Sequence, residues 1–195
     1  MPVKGRGWAW LVHRAWVALW LLLGRQQAAR ATLDRMLERW PGDAYALSSR
    51  AHVHAQAGRR AEAIADAQAL VQSHPELAAA HWFNLGYLLE EDGRLTDAEA
   101  AFRRALAMND QLDRAWYGLG LVLIRQQRLD DAVQALERNT QLQPMSPYGW
   151  YQLARVHLDL QAPDRALKII RHLKTFEPKV AAQLERETGL QAGEL

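Results

Sequence analysis

The stretch from residue 79 to residue 112, AAHWFNLGYLLEEDGRLTDAEAAFRRALAMNDQL, decides the fold of this chain. Its first half carries apolar residues at helical spacing and ends at Gly93, and its second half is an alanine-rich run that contains Phe102. Glycine readily takes the left-handed backbone that ends a helix. The stretch therefore predicts two antiparallel helices joined by a tight turn.

The same phrase returns along the chain. Trp82, Trp116 and Trp150 lie 34 residues apart and open the phrases WFNLGYLL, WYGLGLVL and WYQLARVHL. One alanine of the second helix recurs at the matching positions Ala63, Ala98, Ala132 and Ala166. A helical hairpin repeated at this period predicts a stacked array, in which each unit buries its apolar face against the next.

These residues resemble the tetratricopeptide repeat, whose pattern runs W-x2-L-G-x2-Y, then A-x3-F, then P. The stretch quoted above matches it at Trp82, Leu85, Gly86, Ala98 and Phe102. The resemblance implies an all-α, right-handed superhelical solenoid of about five helix-turn-helix repeats. The predicted segments are a basic amino-terminal segment at 1–9, a degenerate first repeat with a tryptophan-rich first helix at 10–43, four further repeats at 44–78, 79–112, 113–146 and 147–180, and a capping helix with a tail at 181–195.

The start of the chain is open to three interpretations. Residues 7–26, GWAWLVHRAWVALWLLLGRQ, hold four of the eight tryptophans and an apolar run from residue 15 to residue 23. A signal peptide, with cleavage near Ala31, and a membrane anchor are two of them. The third is a repeat helix, because a step of 34 residues relates Gly24 to Gly58 and Pro41 to Pro75. The shared frame favours the repeat helix, and we expect residues 1–41 to persist in a cytoplasmic protein, with membrane association as the alternative.

The first helix is also predicted to supply a docking surface. An array needs a polar outer face at its first helix, since no repeat precedes it. Here the positions are instead apolar and aromatic, notably at Trp8, Trp10, Trp16 and Trp20. Five cations, Lys4, Arg6, Arg14, Arg25 and Arg30, precede the first acidic residue, Asp34. A partner protein, a second copy and a lipid surface are the candidate occupants.

The composition of the chain gives no indication of catalysis, metal binding or nucleic-acid binding. The 24 Lys and Arg against 22 Asp and Glu leave a net charge of +2, which is not the basic footprint of a nucleic-acid binder. There is no cysteine, and His52 and His54 are two residues apart, on different faces of a helix. No nucleophile with a partnered base is apparent. We therefore expect no enzyme, no metal and no cofactor, with RNA binding by helical repeats as a third alternative function.

The resemblance implies that the first helix of each pair lines a concave groove. The residues that it places there are mostly aromatic, together with three arginines. They are Tyr45, His52, Phe83, Asn84, Tyr87, Arg114, Tyr117, Leu121, Arg125, Tyr148, Tyr151 and Arg155. The groove predicts a non-enzymatic adaptor that binds a peptide or helix of a partner protein, favours an acidic one, and assists assembly of a complex. A membrane-attached assembly factor, anchored through its first helix, is the alternative.

Overall fold

The structure of the chain is a computed structural model, which describes residues 7–193. Over this range it contains eleven α-helices and no strand. The helices are α1 Trp8–Leu22, α2 Gln26–Arg39, α3 Ala44–Gln56, α4 Arg60–Ser73, α5 Ala79–Glu91, α6 Leu95–Met108, α7 Asp113–Arg125, α8 Leu129–Leu142, α9 Pro147–Asp159, α10 Pro163–Lys174 and α11 Pro178–Thr188. The predicted fold class, an all-α solenoid of helix-turn-helix repeats, is confirmed.

The observed helices begin at or close to the starts of the predicted segments. The helices that open the second to fifth pairs, α3, α5, α7 and α9, begin at residues 44, 79, 113 and 147. Helix α1 begins at Trp8, two residues before the predicted first repeat, and α11 begins at Pro178, three before the predicted capping segment. Residues 1–6 of the predicted basic segment and 194–195 of the predicted tail lie outside the described residues.

The chain divides into two compact units, which meet in sequence between Asp92 and Gly93. In the first unit, α1 to α5 pack in chain order around fully buried apolar side chains. In the second unit, α6 to α11 do the same. The buried residues at the centre of the first unit include Val17, Leu33, Met36 and Val53, and those of the second include Leu136, Ile170, Leu173 and Leu184.

The turn inside each helix pair uses one left-handed residue. These residues occupy one column of the repeat, with φ between 57° and 79°, at Gly24, Gly58, Gly93, Gln127 and Gln161. At Gly24, Gly58, Gln127 and Gln161 the N–H of the following residue bonds back across the turn, as from Arg59 to the carbonyl of His54 at 2.9 Å. Glycine adopts this backbone without a steric penalty, whereas glutamine does not. The last two turns therefore keep the geometry at some energetic cost.

The recurring tryptophans hold the loop between successive pairs. Each indole N–H donates to a backbone carbonyl in the proline column: Trp82 to Pro75 at 3.0 Å, Trp116 to Asp110 at 2.8 Å and Trp150 to Pro144 at 2.9 Å. Because the acceptor is a backbone atom, any residue in this column can supply it. That explains how Asp110 replaces proline without loss of the contact.

Two glycines let α7 approach its neighbours. A Cβ added to Gly118 would lie 2.6 Å from the ring of Phe102 on α6, and one added to Gly120 would lie 2.8 Å from Leu136 on α8. Both distances are below van der Waals contact, so a side chain at either position would displace the ring of Phe102 or the side chain of Leu136 from its place in the core. Helix packing therefore accounts for both glycines.

Candidate functional site

The first unit contains a cavity of about 430 Å³. Its walls come from α3 and α5, with contributions from α1 and α4. Three of the predicted groove residues, His52, Asn84 and Tyr87, line it together. The structure thus brings these three, which are up to 35 residues apart in sequence, into one site.

The cavity combines polar groups with an apolar wall. The polar groups are Ser48, Ser49, His52, His81 and Asn84, and the apolar wall includes Leu21, Leu70 and Leu88. None of the described residues that line it is Asp, Glu, Lys or Arg. Amide, hydroxyl and imidazole groups can both donate and accept hydrogen bonds, which is what an extended peptide backbone requires of its binding site.

His81 is a lining residue that sequence reasoning missed. Burial is the main cause that lowers the pKa of its imidazole, and the electrostatic interaction with nearby His74 lowers it further. The ring is therefore neutral at pH 7 and offers one donor and one acceptor. Its spacing from Asn84 and Leu88, three and seven residues, places the three on one face of α5. That spacing is the signal for His81 in the sequence, where it stands next to the more conspicuous Trp82 of the repeat pattern.

An ion pair across three helices fixes the wall that carries Ser48 and His52. Arg50 on α3 donates from Nε and Nη2 to the two carboxylate oxygens of Asp66 on α4, at 2.8 and 2.6 Å. Its Nη1 donates to Asp34 on α2 at 2.9 Å. These bonds raise the pKa of Arg50 above its ordinary value, the bond to Asp66 most of all. Paired, charge-assisted bonds of this kind restrict orientation as well as distance, so α3 is held in register with both neighbours.

Two predicted groove residues of the first unit lie outside the lining of this cavity. Tyr45 packs edge-on against Trp10, with ring centroids 6.2 Å apart, and the guanidinium of Arg14 lies 4.8 Å from its ring centroid. Helix α1 therefore covers this tyrosine. Phe83 is half-buried and is not among the residues around the cavity.

The second unit carries the other seven predicted groove residues. Arg114, Arg125 and Tyr148 are exposed, whereas Tyr117 and Leu121 are half-buried. Tyr117 packs against the core of this unit. The remaining two, Tyr151 and Arg155, are treated next.

The last helix of the chain, α11, contacts two residues that were predicted to bind an acidic ligand, Tyr151 directly and Arg155 through it. The hydroxyl of Tyr151 donates to the Glu187 carboxylate on α11 at 2.6 Å, and this bond is the main reason that the pKa of Glu187 lies below its ordinary value. Arg155 donates from Nη1 to the Tyr151 oxygen at 3.4 Å, and its guanidinium lies 5.8 Å from the ring centroid. A ligand carboxylate at this point would compete with Glu187, a residue that sequence reasoning assigned only to the cap.

The amino-terminal helix requires one correction. Trp10 was predicted to belong to the docking surface, but only 8% of it is exposed, and its indole N–H donates to Asp43 at 3.0 Å. It is therefore a core residue, because its side of α1 faces inward. Trp8 is 80% exposed, and Trp16 is exposed and stacks on the half-buried Trp20, with centroids 5.5 Å apart.

Two features are absent from the described residues. Between residues 7 and 193, no group of three or more His, Asp or Glu is arranged to hold a metal ion. In the same range, no helix combines the length and the apolar character needed to cross a membrane.

Helix pairs with a tryptophan column, a small-residue column and left-handed turns define a helical-repeat protein. The chain belongs to the tetratricopeptide repeat family, whose sequence profile matches residues 48–113, 97–147 and 117–176, more than half of its length. Proteins built from this repeat are generally non-catalytic scaffolds for protein interactions. No curated protein is recognisably similar in sequence.

Solved structures share the fold at low sequence identity. A crystal structure of MamA has a TM-score of 0.81 and 18% identity over 93% of this chain and 96% of that one. A MamA fragment from Desulfovibrio magneticus RS-1 gives 0.79 and 17%, over 95% and 100%. YrrB, described as a tetratricopeptide repeat protein with an unusual peptide-binding site, gives 0.78 and 18%, over 87% and 88%. The fold and the family together support a protein-interaction scaffold.

Proposed function

We propose that this protein is a non-enzymatic adaptor that holds a peptide segment of a partner protein and so assists assembly of a complex. The observation that carries the proposal is the cavity of the first unit, where Asn84, His52 and Tyr87 meet. An exposed side-chain amide can satisfy both the N–H and the C=O of a peptide backbone. A neighbouring tyrosine adds a large contact area at a small cost in rotamer entropy.

The cavity's size and polarity suit a short stretch of peptide. About 430 Å³ is within the range of pockets that bury small ligands, and its apolar wall could accept one aliphatic or aromatic side chain. Since none of the described residues that line it is Asp, Glu, Lys or Arg, selectivity for an acidic partner would depend on residues outside the lining. YrrB, with its peptide-binding site, supports the same use of this fold.

Peptide selection followed by measurement on variants tests the proposal. Random peptides displayed on phage would be selected on the full-length chain, and one selected peptide would be titrated by fluorescence anisotropy. We expect an affinity of about 1 μM, because a single groove offers a modest interface. Asn84→Ala and Tyr87→Ala should each weaken binding about tenfold, because each removes a contact from the centre of the site. Both residues are exposed, so the melting temperature should stay close to that of the parent.

Trp8→Ser is the matched control, since it removes an exposed aromatic ring that is not part of the cavity. It should leave peptide affinity unchanged. Peptides that bind Asn84→Ala and Tyr87→Ala as tightly as the parent would place the binding site elsewhere. A selection that yields no peptide would contradict the proposal outright.

A further inference from the structure

The outward face of α1 is apolar along its whole length. Only one of the exposed residues of this helix, Arg14, has a charged side chain. The exposed residues are Trp8, Leu11, Arg14, Ala15, Trp16, Ala18, Leu19 and Leu22. Trp8 and Leu22, near the two ends, are 80% and 84% exposed. A continuous exposed apolar face of this kind marks an interaction surface, because ordinary soluble surfaces scatter such residues singly.

The face is directed outward because the other side of α1 is fixed in the first unit. Val17 is fully buried, and Trp10 is held by its hydrogen bond to Asp43. Residues 8, 11, 15, 19 and 22 follow the helical period and form one stripe, which we call the α1 outer stripe. A partner can therefore reach this stripe without any rearrangement of the repeat.

The polar groups beside the stripe only donate hydrogen bonds. Trp8 and Trp16 present indole N–H groups, and Arg14 presents a guanidinium. Arg25, in the turn between α1 and α2, lies with its guanidinium 5.6 Å from the centroid of the Trp20 ring. No Asp or Glu precedes Asp34 in the sequence. A surface that complements the stripe therefore needs three properties. It must be apolar where it meets the aliphatic and aromatic side chains, it must offer hydrogen-bond acceptors to the donors beside them, and it must be negatively charged.

A second copy of this chain does not fit those requirements through the same stripe. A symmetric contact would oppose donors to donors and Arg14 to Arg14, with no carboxylate of either α1 to compensate. A lipid interface meets all three requirements, since ester carbonyls and phosphates accept hydrogen bonds and acyl chains lie directly beneath them. Tryptophan and arginine are the side chains that favour this layer.

We propose that the α1 outer stripe binds the surface of a membrane that contains anionic lipids. The helix lies parallel to the membrane plane, with Trp8, Leu19 and Leu22 in the headgroup–acyl boundary and the repeat array on the aqueous side. This attaches the scaffold to a membrane while the cavity, built by α3 and α5 with Leu21 as its contribution from α1, stays available to a peptide.

Vesicle binding by the full-length chain tests this proposal. The probes are vesicles of phosphatidylcholine alone and vesicles that contain about one-third phosphatidylglycerol. Co-sedimentation should show that the protein binds the anionic vesicles. Binding to the neutral vesicles should be weaker by about tenfold or more, and salt should reduce binding to the anionic ones. Tryptophan emission should shift to the blue on binding, because the indole rings leave water.

The double variant Trp8→Ser with Leu22→Ser should lower partitioning into the anionic vesicles about tenfold or more, since each change removes a large apolar group from the interface. Met145→Ser with Tyr148→Ser is the matched control. It removes one aliphatic and one aromatic side chain, 67% and 70% exposed, from the second unit, and binding should be unchanged. Circular dichroism should be the same for all three proteins.

Three results would overturn the proposal: no binding to anionic vesicles, equal binding by the stripe variant, or equal loss in the control. If light scattering shows a dimer that the stripe variant abolishes, and no vesicle binds, the stripe belongs to a second copy instead. Tyr87→Ala should retain vesicle binding, so a failure of the peptide site and a failure of the stripe are distinguishable.

Discussion

At the scale of single residues, the left-handed backbone of Gln127 and Gln161 is strained, and glycine would remove the strain. Gln127 has φ of 61°, in a column where the first three repeats carry glycine. Gln127→Gly should therefore raise the free energy of unfolding of the second unit by about 1 kcal/mol, because a left-handed backbone penalises a side chain by roughly that amount. Its side-chain bond to Ile124 O, 3.4 Å long and exposed, offsets little. Urea denaturation followed by circular dichroism measures the change.

The neighbouring Gln126 provides the control for this substitution. Its backbone, at φ −83° and ψ 0°, is ordinary for any residue, and its side-chain oxygen accepts from Arg128 Nη1 at 3.3 Å. Gln126→Gly should therefore lower stability, through the loss of that bond and the added entropy of the unfolded chain. A midpoint for Gln127→Gly at or below that of the parent would show that the turn is not strained.

At the scale of elements, one hydrogen bond attaches the first helix to the third. The Trp10 indole donates to Asp43, and the same carboxylate caps α3 by accepting from the Ala46 N–H at 2.9 Å. Trp10→Phe keeps an aromatic ring in the core but removes the donor to a buried carboxylate. It should reduce the free energy of unfolding by about 2 kcal/mol. Thermal denaturation of the variant against the parent measures this.

The comparison for Trp10→Phe is Trp8→Phe, two residues earlier on the same helix. Trp8 is exposed, so this change should leave the melting temperature nearly constant. Equal losses in the two variants would mean that α1 is stabilised by its general apolar character and not by the bond to Asp43.

At the scale of the whole molecule, buried histidines make stability depend on pH. His54 in the first unit and His157 in the second are buried, and burial lowers the pKa of each below its ordinary 6.5. The Asp66 carboxylate, 3.9 Å from Nε2 of His54, opposes the lowering of the His54 pKa, whereas Arg59 and Arg50 reinforce it. Around His157, Arg165 lowers the pKa and Glu137 raises it.

The sign of the effect follows from proton binding in the two states. Below about pH 6.5 the unfolded chain protonates these imidazoles while the folded chain still excludes the proton, so folding stability falls as pH falls. Urea midpoints should therefore decrease between about pH 7.5 and about pH 5.5. The double variant His54→Gln with His157→Gln should flatten that slope, whatever its stability at pH 7.5. An unchanged slope would assign the dependence to other groups.

Much of the fold could be predicted because its cause is periodic. Each repeat buries the same columns against its neighbours, so Trp82, Trp116 and Trp150 report the same environment three times and mark the helix pairs. The columns also brought His52, Asn84 and Tyr87 forward as candidates, because residues at equivalent places in successive first helices face the same side. Local spacing alone carries this information.

The rest depended on contacts between residues that the period does not relate. Trp10 and Trp8 look alike in sequence, but only the packing of α1 against α3 places one beside Asp43 and leaves the other in solvent. Glu187 reaches Tyr151 across 36 residues through the docking of α11. The sequence by itself determined the helix pairs and their repeat frame, because those follow from local apolar spacing. Tertiary structure alone decided which aromatic side chains are core, which are covered and which remain exposed, because burial depends on what the next element brings against them.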